Sequence, residues 1–139
     1  MVRQAQCQCG ALHVEAEGEP DSVVICSCIE CQRRSGSPFG EGAYYARDKL
    51  TLSGQPREYV RTADSGKTFH TFFCPACGAS LYWHSERDPN RVGVAVGAFA
   101  DPGFPAPQRS VFDDTKHAWI TLPDDMPGFR RGRDSERSR

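Results

Sequence analysis

Seven cysteines fall in three clusters along the chain: Cys7-Gln8-Cys9, Cys26-Ser27-Cys28-Ile29-Glu30-Cys31 and Cys74-Pro75-Ala76-Cys77. Thiols two or three residues apart present two sulfurs to one ion from a tight turn, and a structural zinc takes four such ligands in a tetrahedron. Cys74 and Cys77 form such a turn, with Gly78 free to adopt a positive φ beneath the metal. Cys7 and Cys9, also followed by a glycine, are the natural second pair. These four thiols close one site and leave Cys26, Cys28 and Cys31, three thiols within six residues and no fourth cysteine. Three protein ligands with one open position is the arrangement of catalytic zinc, whereas structural zinc is saturated by protein. A different partition joins Cys28 and Cys31 to Cys74 and Cys77 as a zinc ribbon and leaves Cys7, Cys9 and Cys26 scattered. Its ligand gap exceeds the usual spacing of about 15 to 20 residues.

Three thiolates give the second site a formal negative charge and donate strongly, which weakens its Lewis acidity relative to a three-histidine site. Handling of a thiol or an aldehyde therefore suits it better than activation of water for peptide cleavage. Arg33 and Arg34 follow the triplet and are candidates to pair with the carboxylates of a peptide-like thiol such as glutathione. Each is also readable as a solvated surface arginine. His13, His70, His84 and His117 are dispersed in sequence and read as surface or packing residues. The aromatics Phe39, Tyr44, Tyr45, Phe72, Phe73, Tyr82, Trp83 and Phe99 read as core and sheet residues, and Asp113, Asp114, Asp124 and Asp125 as solvated loop acids.

The elements that must position these groups are mostly short strands. Leu12, Val14 and Ala16 alternate with His13, Glu15 and Glu17, the period of two of a half-buried strand. Ser22 to Cys26 is a β-branched run that delivers a cysteine from its end. After Cys28 the pattern suits one or two helical turns stopped by Gly36 and Pro38. Further strands are expected at residues 42–46, 50–53, 57–61, 68–73, 79–84, 91–98 and 109–112, separated by Gly, Pro and Asp signals. Residues 101–108 are an irregular crossing segment, and there is no internal repeat.

The 139 residues suit one domain, and 38% hydrophobic with 25% charged residues is the composition of a globular protein. No apolar run approaches the roughly 18 to 20 residues of a membrane span, and the N-terminus lacks the pattern of a secretory leader. The cytoplasm is the expected compartment. An odd cysteine count in such a chain argues for metal over a disulfide framework. A net charge of -1 gives no global field for nucleic acid or acidic lipid. Residues 130–139 carry five arginines and two acids without a large apolar residue, so they are expected to be a disordered Arg-rich tail on a 1–129 zinc-binding domain. The composition leaves oligomeric state open.

The order Cys7-x-Cys9-Gly10, Cys26-x-Cys28-x-x-Cys31-x-x-x-x-Gly36-x-x-Phe39 and Phe73-Cys74-x-x-Cys77-Gly78-x-x-Leu81 resembles the glutathione-dependent formaldehyde-activating enzyme family, which includes centromere protein V. The resemblance spans roughly Gln6 to Phe129, and all seven cysteines fall on it. It implies a mostly β, β-tent fold of short antiparallel sheets around zinc sites, with one short helix after the middle cluster. It also implies two zinc ions, one structural on Cys7, Cys9, Cys74 and Cys77 and one catalytic on Cys26, Cys28 and Cys31. The implied activity is that of a carbon-sulfur lyase that joins glutathione to formaldehyde as S-hydroxymethylglutathione. Two positions depart from the pattern: Ser27 stands inside the triplet, and Ser110 precedes Lys116-x-x-Trp119, each where the family often has histidine. Two other classes compete. A zinc-stabilised binding module without catalysis would not need all three triplet cysteines, and a methionine sulfoxide reductase of the B type needs a redox cysteine after Cys77, which the chain lacks.

Overall fold

The computed structural model describes residues Met1–Arg139, mostly β with a single α-helix. The chain divides into two compact units: residues 1–21 with 43–104, and residues 22–42 with 105–139.

The first unit begins with β1 (Val2–Gln6) and β2 (His13–Glu17), which pair antiparallel from Val2 opposite Glu17 to Gln6 opposite His13. β2 also pairs with β5 (Leu50–Ser53), completing a three-stranded sheet. Leu12, Val14 and Ala16 are buried, as their alternation requires. β1 was not expected, because Val-Arg-Gln-Ala-Gln shows no apolar alternation; Ala5 alone turns into the core while Val2 lies exposed.

The second sheet of this unit runs in the order β4 (Gly40–Ala46), β9 (Arg91–Ala95), β8 (Ser80–Ser85), β7 (Thr68–Phe73) and β6 (Arg57–Thr62), with β4 entering from the other unit. β7 and β8 form the hairpin whose tip is Cys74 to Ala79, with a register shift between Phe72 and Phe73. Trp83 lies opposite Gly93, and its indole occupies the space a side chain there would need: a Cβ on Gly93 would stand 2.3 Å from Trp83 Nε1. That Nε1 donates to Tyr44 Oη at 3.2 Å, so the buried ring keeps a hydrogen-bond partner. The expected strand 91–98 ends earlier, at Ala95, and continues as a 3₁₀ turn over Val96–Phe99.

In the second unit, β3 (Ser22–Cys26) is buried except at its last residue and leads into α1 (Ile29–Ser35). Gly36 ends the helix at φ +69, its N–H bonded to Gln32 O, the left-handed stop that the Ser-Gly-Ser-Pro run requires. β10 (Arg109–Val111) pairs with β3 in parallel, from Arg109 opposite Val24 to Val111 opposite Cys26. This departs from the antiparallel pairing expected throughout. A parallel pair needs a long crossover between its strands, and nothing local in Arg109 to Val111 encodes it.

Residues 130–139, expected to be a disordered tail, turn back as a short hairpin with Phe129 bridged to Arg137. Arg130 N–H donates to Glu136 O and Ser138 N–H to Gly128 O. Asp113, expected to be a solvated loop acid, has a side chain only 5% exposed; its Oδ2 accepts from Ser110 Oγ at 3.0 Å and from Ser138 Oγ at 2.6 Å. No helix is long and apolar enough to cross a membrane.

Candidate metal centres

The first unit brings together the sulfurs of Cys7, Cys9, Cys74 and Cys77, all within 4.8 Å of one another. Two turns of similar construction present them. Gly10 N–H bonds to Cys7 O and Gly78 N–H to Cys74 O, while Cys7 and Cys74 each donate their own N–H to the residue that closes the loop, Leu12 and Ala79. Both glycines have positive φ, +83 and +79. Backbone donors face the sulfurs: Leu12 N–H stands 3.2 Å from Cys7 Sγ, and those of Ala76 and Cys77 stand 3.4 and 3.5 Å from Cys74 Sγ.

The sulfurs are free thiols, spaced 3.8 Å between Cys7 and Cys9 and 3.6 Å between Cys9 and Cys74. Disulfide sulfurs lie about 2.05 Å apart. A tetrahedron with zinc-sulfur bonds of about 2.3 Å has edges of about 3.8 Å, so the spacing fits a common ion. The thiols differ in acidity. The N–H groups of Ala79 and Cys9 pull Cys77 down to about 6. Cys9 is pushed up to about 11: the Ala11 N–H favours its thiolate, but Cys74 and the other neighbouring thiols outweigh it. Thiols crowded this closely ionise more readily beside a cation, as metal ligation requires.

The second unit brings Cys26, Cys28 and Cys31 equally close. Cys26 ends β3, Cys28 caps α1 with its Sγ accepting from Cys31 N–H at 3.3 Å, and Cys31 lies one turn into the helix. Cys31 is held down to about 3 by hydrogen bonds from Cys26 and Cys28, with the Arg34 guanidinium adding to them. Those contacts to Cys28 and Cys31, with burial, push the Cys26 thiol up. A Cβ on Gly40 would stand 2.7 Å from Arg34 Nη2 and 3.2 Å from Cys31 Cβ, so the bare backbone at the start of β4 makes room for this pair. Arg33 points to solvent. The two arginines grouped in the sequence reading thus have separate surroundings.

The loop of the triplet is tied to the chain beyond β10. Gln32 Nε2 donates to Ser27 O at 2.9 Å and Thr115 O at 3.1 Å, and Thr115 Oγ1 donates to Ser27 O at 2.8 Å. His117 Nε2 contacts Gln32 Oε1 at 2.9 Å, and Trp119, 74% exposed, meets the His117 ring edge-on at 6.5 Å. Ser27 Oγ is buried without a partner. The ribbon partition is not what the structure assembles, since Cys28 and Cys31 group with Cys26 and Cys74 and Cys77 group with Cys7 and Cys9.

One grouping has no signal in the sequence. His70 and His84, dispersed in sequence, lie opposite each other in β7 and β8 and stack at 4.6 Å, with Glu86 beside them. Burial, with Arg47 and His70 nearby, lowers His84 from the usual imidazole value. Only the hairpin register could have revealed the pair, and the shift at Phe72 and Phe73 conceals it.

A mostly β chain with two separate cysteine groups of metal-ligating geometry is the class that fold and sites define. The profile of the glutathione-dependent formaldehyde-activating enzyme family matches residues 2–115, and the chain belongs to that family. A crystal structure of a Rhodobacter sphaeroides protein is similar in fold, with a TM-score of 0.55 and 23% identity over 73% of this chain and 90% of that one.

Proposed function

We propose that the chain is a zinc-dependent enzyme of the carbon-sulfur lyase type, acting on adducts of a glutathione-like thiol with formaldehyde or another small carbonyl compound. Family membership supports glutathione-related formaldehyde chemistry in general. The observation that carries the finer reading is the isolation of three thiols from the group of four. Cys7, Cys9, Cys74 and Cys77 would hold a structural ion, and Cys26, Cys28 and Cys31 a second one with a position left for substrate.

A zinc ion held there supplies an electrophilic centre that keeps a thiol ionised near neutral pH and polarises a carbonyl oxygen. In the reaction, the thiol sulfur bonds to the carbonyl carbon, and the thiol's proton ends on the carbonyl oxygen. The chain's own groups define the surroundings of that exchange. Arg34 offsets the charge of Cys31, and exposed Arg33 is placed to meet a substrate carboxylate by a charge-assisted pair. Gln32 holds the Cys26 to Cys31 loop through Ser27 O and orients His117.

Calorimetric titration of the metal-loaded protein with glutathione tests this reading. Saturable one-to-one binding that is lost in Cys28→Ser is expected. Heat indistinguishable from dilution, for glutathione and for other small cellular thiols, would favour a zinc-stabilised binding module.

A further inference from the structure

Away from the cysteines, one face of the β6-β7-β8 sheet gathers two imidazoles and two carboxylates. His70 Nδ1 lies 2.9 Å from Glu58 Oε2, and His70 Nε2 lies 2.9 Å from Glu86 Oε1. One ligand atom from each of His70, His84 and Glu86 lies within 4.8 Å of the others. A carboxylate at Nδ1 fixes the imidazole proton on that nitrogen, because a carboxylate only accepts. The opposite nitrogen, which also faces a carboxylate, carries a second proton when the site is empty and presents its lone pair when a metal ion takes that proton's place. That atom, Nε2, is buried and makes no hydrogen bond despite the nearby Glu86 oxygen. Nε2 and the Glu86 oxygen, 2.9 Å apart, need positive charge between them, which a proton supplies in the empty site and a metal ion would supply in its place.

We propose that His70 Nε2, a ring nitrogen of His84 and the Glu86 carboxylate form a third metal site, taking a divalent transition ion such as zinc, with Glu58 as the carboxylate behind His70. Two imidazoles and one carboxylate are a donor set that zinc accepts with a position left open, and a carboxylate on the far nitrogen is the usual orienting partner of a metal-bound histidine. The face opens to solvent on the Glu86 side, where that side chain is 47% exposed against 17% for His70. The rings stack only 5° from parallel, and one ion cannot lie in both ring planes at once. Loading the site therefore tips His84 about its broad χ2 torsion and disturbs Phe72, which stacks on it at 5.6 Å.

The test is long-range proton-nitrogen NMR of the imidazoles in the full chain, as purified, during titration with zinc chloride. Signals of His70 and His84 should move and saturate at one added equivalent, with those of His13 and His117 unmoved. The same shifts should persist in Cys31→Ser, which separates this site from the triplet. His70 should no longer respond in His84→Ala or, if that variant fails to fold, in Glu86→Gln. Glu58→Gln should weaken zinc binding by about 10- to 100-fold. Unmoved His70 and His84 signals, equal shifts in all four histidines, or a His70 response that survives loss of its neighbour would overturn the proposal.

Discussion

Gly78 and Gly93 are both unadorned backbone, for different physical reasons. Gly78 has φ +79 with open space where a Cβ would go, so Gly78→Ala meets only the left-handed penalty of about 1–2 kcal/mol. At Gly93 the φ is unremarkable and the obstacle is the Trp83 indole, so Gly93→Ala must displace a buried ring and its bond to Tyr44; overpacking of this kind costs about 1–3 kcal/mol. Denaturant melts should find both variants less stable. Near-ultraviolet circular dichroism should change for Gly93→Ala alone, and an unaltered Trp83 signal there would contradict the packing described. The need at Gly78 is legible in sequence, because a glycine after Cys-x-x-Cys has a local meaning. The need at Gly93 is not, because it depends on which residue lies across the strand. Asp113 is hidden for the same reason: its burial comes from Ser110 and Ser138, and Ser138 lies far along the chain.

At the scale of elements, the two cysteine sites hold different kinds of structure. Cys7, Cys9, Cys74 and Cys77 join two hairpin tips of one unit, so an ion there ties distant segments together. Cys26, Cys28 and Cys31 lie on one strand-to-helix turn that Gln32 and Thr115 also secure. Metal held at a structural site can contribute on the order of 10 kcal/mol, comparable to the stability of a whole domain. Cys77→Ser should therefore unfold or aggregate, whereas Cys31→Ser should stay folded with one ion fewer; thermal melts and elemental analysis distinguish them. Equal damage from both would mean the roles are misassigned. Most strands were legible from period-two alternation and turn residues, and the helix from the change of pattern after Cys28. β1 escaped because its side chains carry no alternation and its place is set by backbone pairing with β2.

For the molecule as a whole, the C-terminal residues set a sequence expectation against a geometry. A polar, Arg-rich segment lacks the apolar surface to order itself, yet here it returns to Asp113, and Arg139 Nη1 also reaches Pro123 O at 2.6 Å. Truncation after Phe129 would leave buried Asp113 short of the Ser138 hydroxyl, and should lower Tm by a few degrees, the response to a loss of about 1 kcal/mol. A melt within a degree of the full chain would mean that these contacts add nothing and that the tail is dispensable. The parallel β10–β3 pair belongs to this scale as well, since its partner strand lies most of the chain away. Function is likewise a property of the assembled chain, and its central claim is catalysis at the triplet. Exchange NMR of the glutathione-formaldehyde equilibrium measures it most directly, comparing zinc-loaded wild type, Cys28→Ser and buffer. Wild type should exchange adduct and free thiol faster than buffer and Cys28→Ser should not, whereas equal rates in all three would contradict the assignment of a catalytic centre to Cys26, Cys28 and Cys31.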